Sequence, residues 1–185
     1  MSVLVLAHVE SDGSLAKPAL EAVTAGAGLA KQLGAPLVVG LVGADVSAAA
    51  AGVGGCGAAR VLGASGAAFA EPRYASDAAA AEALCRAAGA QIIIAAGTSR
   101  WLRVVGGVAQ RLGGRVDSHV TRIVADAGSV SVARWYYRQR IEAVTSRTER
   151  PWVIAIEPGT HEPWSGGAAA VTVEAVTVAL PEIRT

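Results

Sequence analysis

The segment AAGTSRWLRVVGG at 95–107 carries the residue types a small anionic ligand needs, directly after the apolar run QIII. Thr98 and Ser99 offer hydroxyl hydrogen bonds, Arg100 and Arg103 offer positive charge to a phosphate, and Trp101 offers a ring to stack on. A loop leaving a buried strand is where open α/β sheets bind ligands, so Thr98, Ser99 and Arg100 form the candidate nucleotide site. A structural or protein-interface role for the same loop asks for fewer assumptions and is the preferred reading. The second pattern is ARWYYRQRIEAV at 133–144, which interleaves arginines with aromatics. In an extended strand Arg134, Tyr136, Arg138 and Arg140 share one face, with Trp135 and Tyr137 on the other. Such a surface suits sheet packing with a charged face, or a protein interface. The formal charge of +1 and the lack of an RNA-binding motif disfavour nucleic acid.

Other residues with chemical potential form no catalytic set. The glycines of GVGGCG at 52–57 lack both the GxGxxG fingerprint after a strand and the GK[ST] ending of a Walker loop, and read as turns or close packing. His8, His119 and His161 lie in separate segments without metal-ligand spacing, so no metal site is expected. Asp117, Ser118 and His119 are too compressed in sequence to form a hydrolase triad, and no nucleophile-elbow motif is convincing. Glu10 and Asp12 read as solvated loop charges rather than an acid/base pair. Cys56 and Cys85 form no CxxC motif and read as buried or incidental thiols.

The elements that must position these residues alternate. VLVL at 3–6, APLVVGLV at 35–42 and AQIIIAA at 90–96 are short apolar runs of the kind found in doubly covered parallel strands, separated by alanine-rich segments suited to helices. The first strand is expected to end near Ala7. A helix follows over Ala19–Gln32, with Pro18 near its start and Gly34 at its exit. The alanines at 48–51 begin a helix whose extent the neighbouring glycines limit. Val61 and Leu62 read as a short strand, and Ala78–Ala88 as a helix capped by Ser76 or Asp77. HVTRIV, SVSVARWYY, IEAVTS and PWVIAIEP read as strands or extended connections of a mixed sheet, and AAAVTVEAVTVAL as terminal β structure. EPWSGGAAAV at 162–171 is the best candidate for a flexible boundary. The fold class expected is α/β, a three-layer sandwich with a largely parallel sheet and a late mixed or antiparallel β section.

With 185 residues, 52% of them hydrophobic and 17% charged, the chain can bury a sizeable core and is read as one domain over 1–185. MSVLVLAHVE turns polar after a very short apolar run, and no apolar stretch has the length of a membrane span, so a cytoplasmic location without membrane or nucleic-acid partners is expected.

In order and combination these segments resemble the N-terminal domain of the electron transfer flavoprotein alpha subunit. The resemblance runs over about residues 2–160. It is carried by SVLVLAHVESDGSLAKPALEAVTAGAGLA, AAAAGVGGCGAARVLGA and YASDAAAAEALC, and most strongly by QIIIAAGTSRWLRVVGGVAQRLGGRVDSHVTRI with ARWYYRQRIEAVTSRTERPWVIAIEPG. There are departures. Trp101, Leu102 and Arg103 stand where the family commonly has a glycine followed by basic and acidic residues. Gly106 and Gly107 replace a proline and an arginine, and His119 an aspartate. Tyr137 is kept, but Arg138, Gln139 and Arg140 replace a small or amide-bearing GNA-like stretch, which points to an altered interface or partner.

The resemblance implies an α/β domain that packs beside a beta-like subunit and supports an electron carrier. The family's FAD-binding domain ordinarily follows in the alpha chain and does not fit within these residues, so a fragment or a free-standing domain is expected. No cofactor is expected on the isolated chain, with FAD in the assembled system and AMP in a companion subunit. An acyl-CoA dehydrogenase or another redox enzyme is the implied partner of that assembly. The function expected is structural and partner-docking, more an electron-transfer component than an enzyme, with Arg134, Tyr137, Arg138 and Arg140 as interface residues and no catalytic residues. An adenine-nucleotide-binding module using Thr98, Ser99 and Arg100 is the alternative.

Overall fold

The computed structural model describes residues 1–182. Three apolar runs form buried parallel strands: β1 (Val3–His8), β2 (Leu37–Gly43) and β4 (Ile92–Ala96), with β3 (Arg60–Ser65) beside β2. Every residue of β1, β2 and β4 is buried, as expected of strands covered on both faces. The nine-stranded sheet has the order β7-β6-β5-β8-β4-β1-β2-β3-β9. Here β5 is Arg115–Asp126, β6 Ser129–Tyr136, β7 Ile141–Ser146, β8 Trp152–Ile156 and β9 Val173–Ala175. Strands β5 to β7 form an antiparallel meander, while β8 returns between β4 and β5 and pairs parallel with both. The late antiparallel section is thus attached to one flank of a parallel core.

Helix α1 (Lys17–Leu33) connects β1 to β2 and packs on β1, β4 and β5. Helix α3 (Tyr74–Ala88) carries the chain from β3 to β4 in the opposite direction across the sheet and packs on β2, β3 and α5 (Val105–Arg111). Right-handed crossovers running in opposite directions put their helices on opposite faces, giving the three layers. Pro18 sits in the first turn of α1, where a missing N–H costs nothing, and Gly34 ends it at φ 60, a left-handed conformation that glycine adopts without strain. Helix α2 (Ser47–Gly52) is short, and α4 (Ser99–Leu102) is a single turn.

Four expectations need correction. Helix α3 begins at Tyr74, with Arg73 at its cap position, so neither Ser76 nor Asp77 caps it. Asp77 turns inward because a buried arginine binds it. The terminal Val- and Thr-rich stretch forms only the three-residue β9, paired with Val61–Gly63. Third, the extended conformation of 133–144 stops at Tyr136, so Arg138 and Arg140 belong to a turn and do not continue the face of Arg134.

Fourth, the stretch at 162–171 is not a free linker. The backbone N–H of Trp164 donates to Leu20 O at 3.1 Å and that of Ala169 to Ala51 O at 3.1 Å. Gly54 and Gly55 lie so close beneath it that a Cβ on either would collide with the carbonyl of Ala169 or Gly167. Close packing therefore requires these glycines of GVGGCG.

Candidate functional site

Two clefts open along the rim formed by the C-terminal ends of the parallel strands. The first lies where the chain reverses direction across the sheet, between β1 and β4, which is the place where open α/β sheets form ligand crevices. Its cavity of about 410 Å³ is lined by His8, Glu10 and Ser11 after β1, by Glu71 before α3, and by Thr98, Ser99 and Arg100 after β4. The fold thus brings together the three residues of the candidate nucleotide site. It adds His8, Glu10 and Glu71, which no local sequence signal linked to them.

The charges in this cleft are largely spoken for. Arg100 is buried and donates Nε to Asp77 Oδ2 at 2.9 Å and Nη2 to Asp77 Oδ1 at 2.7 Å, with a further bond from Nη2 to Phe69 O at 2.8 Å. Its partner Asp77 is fully buried, so this bidentate pair ties α4 to α3. His8 Nε2 lies 3.0 Å from Glu10 Oε1. Burial, helped by the nearby Arg100 charge, lowers the His8 pKa and keeps its ring neutral, against the opposing pull of Glu10. The cleft wall therefore presents two carboxylates, a neutral imidazole and one guanidinium already bound by Asp77. Thr98 accepts from Trp101 N as the cap of α4, leaving Ser99 exposed. This donor set fits an uncharged polar group better than a phosphate or pyrophosphate. Trp101 is fully buried beside His8, with ring centroids 6.2 Å apart, and is not available as a stacking surface.

The second cleft, of about 250 Å³, lies farther along the rim and is lined by His119, Thr121, Trp135, Tyr136, Tyr137, Arg138, Gln139 and Glu157. It is built by the β6–β7 hairpin, whose turn spans Tyr137–Arg140 and is closed by Arg140 N donating to Tyr136 O at 3.1 Å. Residues paired across the hairpin share a face, and both faces carry exposed apolar groups: Trp135 (48% exposed) on one and Ile141 on the other. The hairpin consequently projects beyond the covered part of the sheet, with Tyr137 at its tip 78% exposed.

A buried anchor holds the base of this hairpin. Asp117 Oδ2 accepts from Trp152 Nε1 at 2.8 Å and from Arg147 Nε, while Oδ1 accepts from Arg147 Nη2 at 2.9 Å. Arg134 lies 3.9 Å from the same carboxylate and places its guanidinium 4.6 Å from the Tyr136 ring centre. Burial tends to raise the Asp117 pKa, but the bonds from Arg147 and Trp152 and the charges of Arg147 and Arg134 outweigh it and hold the carboxyl below the ordinary aspartate range. Beyond Asp117 the register with β8 shifts, and His119 takes φ 56 and sets Nδ1 2.7 Å from Glu157 Oε2. Of the four candidate interface residues, Arg134 braces the hairpin, whereas Tyr137, Arg138 and Arg140 point their exposure outward.

The remaining candidates stay apart. Glu10 serves His8, and Asp12 accepts from Ser14 N at 2.9 Å within its own loop. Both cysteines are buried, and burial pushes the Cys85 thiol up to about 12, so neither is a ready nucleophile. Among the described residues no group of three His, Cys, Asp or Glu side chains could hold a metal ion, and no helix is long and apolar enough to cross a membrane.

The family model described as Electron transfer flavoprotein domain matches residues 3–181. That span takes in both clefts and nearly the whole sheet. The chain belongs to the electron transfer flavoprotein domain family. No curated protein matches the chain. Within this family the resemblance is to the N-terminal domain of the alpha subunit, and the α/β fold agrees with what that resemblance implied.

Proposed function

We propose that this electron transfer flavoprotein domain is a structural and partner-docking component of an electron-transfer assembly, positioning a beta-like subunit or a separate flavin-bearing domain. The observation that carries this reading is the family match over residues 3–181. The projecting β6–β7 hairpin supports it, because apolar groups exposed on both of its faces, Trp135 and Ile141, gain by burial against another protein. Tyr137, Arg138 and Arg140 make the contact, and Arg134 stiffens the hairpin from within. The chemistry belongs to the flavin of the assembly; the contribution of this chain is to fix distance and orientation between redox centres.

The donor set of the first cleft argues against a flavin pyrophosphate on this chain, since its one arginine is neutralised by Asp77 and two carboxylates face the space. For the same reason an adenine nucleotide on Thr98, Ser99 and Arg100 is the weaker reading. Native mass spectrometry of the complex recovered from its source tests the docking role. The expected species contains this chain, a second polypeptide and flavin; near-stoichiometric FAD retained by this chain alone would overturn the reading.

A further inference from the structure

Among the described residues five non-glycines have positive φ: His119 (56), Ala127 (46), Tyr137 (48), Arg138 (55) and Gln139 (64). Ala127 belongs to the tight turn between β5 and β6, next to Gly128, where such angles are ordinary for a hairpin. The other four all line the second cleft. A left-handed backbone is unfavourable for any residue with a Cβ, and a run of three without a glycine or asparagine is uncommon. Strain of this kind persists where the surroundings impose it, and it concentrates at sites that bind. Glycine at 138 or 139 would form the same turn without strain, so the turn retains side chains there at a cost to the fold.

The character of those side chains defines what they meet. Arg138 and Arg140 make no ion pair among the described residues, and the carboxylates on this corner are already engaged, Glu157 by His119 and Glu142 by Arg122. The unpaired guanidinium of Arg138 therefore lines a cleft walled by Trp135, Tyr136 and Tyr137, and that of Arg140 follows two residues on in the same turn. We infer that the strained hairpin turn recognises an acidic, extended segment of a partner protein, its carboxylates on Arg138 and Arg140 and an intervening apolar side chain on Trp135 and Tyr137. This rests on the docking role proposed above and specifies the chemistry of the docked surface. Arginine forks bind carboxylates with two parallel hydrogen bonds, and aromatics with arginine are the residues that carry most interface energy.

The test is an NMR titration of the full chain, isotopically labelled, with the synthetic peptide Ac-DELDELE-amide and its uncharged counterpart Ac-NQLNQLQ-amide. The acidic peptide is expected to saturate shifts at residues 119, 135–140 and 157, at least about tenfold more tightly than the neutral one. Arg138→Ala, which keeps a Cβ and hence the backbone strain, is expected to weaken that binding about tenfold, while Gln139→Gly keeps it and raises Tm by roughly 2–4 °C. Equal binding of the two peptides, or an unchanged affinity in a folded Arg138→Ala variant, overturns the inference. Absence of a flavin-bearing companion in the native complex would sink the wider docking role without touching the peptide result. Companion binding indifferent to Arg138→Ala would do the reverse.

Discussion

The buried pair Arg100–Asp77 shows how far a residue's chemistry is set by what surrounds it. In isolation Arg100 follows a strand in a loop rich in hydroxyls, and reads as a phosphate ligand. In the fold, a carboxylate from α3 occupies it through two hydrogen bonds. Removing one partner leaves the other charged and buried, which costs about 3–5 kcal/mol, whereas replacing both with apolar groups of similar volume costs much less. Arg100→Ala is therefore expected to destabilise strongly in chemical denaturation, and the double change Arg100→Met with Asp77→Leu to recover most of the loss. Equal losses in the single and double variants would show that the pair is not coupled. Asp117 gives a second expectation, in pH. Its folded pKa lies below the unfolded value, so the unfolded state binds the proton more readily between the two values. The stability Asp117 contributes is present above the unfolded aspartate value near roughly 3.9 and is lost as pH falls through the folded one. Asp117→Asn is expected to flatten the acid limb of stability against pH, at a lower plateau, as read by urea unfolding at a series of pH values.

At the scale of elements, the short apolar runs were enough to read β1, β2 and β4, because a strand buried on both faces needs little but apolar side chains. The start of α3 was not legible, since Asp77 has the look of a cap and only the distant Arg100 turns it inward. Nor was the turn at 137–140, where no glycine or asparagine marks the left-handed conformation. The second cleft needed the bulge beyond Asp117, which brings His119 to Glu157 across separate strands. Helix α1 shows why glycine content alone misleads. A Cβ at Gly26 would collide with Val5 of β1, so α1 lies on the sheet as closely as it does only because that Cβ is missing. Gly28, two residues on, is exposed and would meet nothing within 4 Å. Gly28→Ala is thus expected to stabilise by roughly 0.5–1 kcal/mol, through helix propensity alone. Gly26→Ala is expected to destabilise by about 1–3 kcal/mol, through overpacking. Thermal unfolding of the two variants should move in opposite directions, and a shift of the same sign would contradict the packing argument.

At the scale of the whole molecule, the chain after β8 leaves the middle of the sheet and crosses over α1 and α2 to add β9 beside β3 at the far edge. This crossing ties the two flanks of the sheet together through Trp164, Ala169 and the ion pair Arg60–Glu174, in which Arg60 Nη2 lies 2.7 Å from Glu174 Oε2. The ion pair is exposed and screened, so the path is held chiefly by the close approach of backbone at Gly54 and Gly55. Adding a methyl group at Gly54 would push against the Ala169 carbonyl and lift the crossing segment. Gly54→Ala is accordingly expected to speed amide hydrogen exchange at Ala169 and Val176, whose N–H groups bond Ala51 O and Gly63 O, while β1 and β4 keep their protection. The meander carrying the hairpin lies on the opposite flank, so its exchange should be unaltered as well. If β4 and the hairpin lost protection together with β9, the crossing segment would be part of one cooperative unit with the core, and the picture of a separately held outer flank would have to be given up.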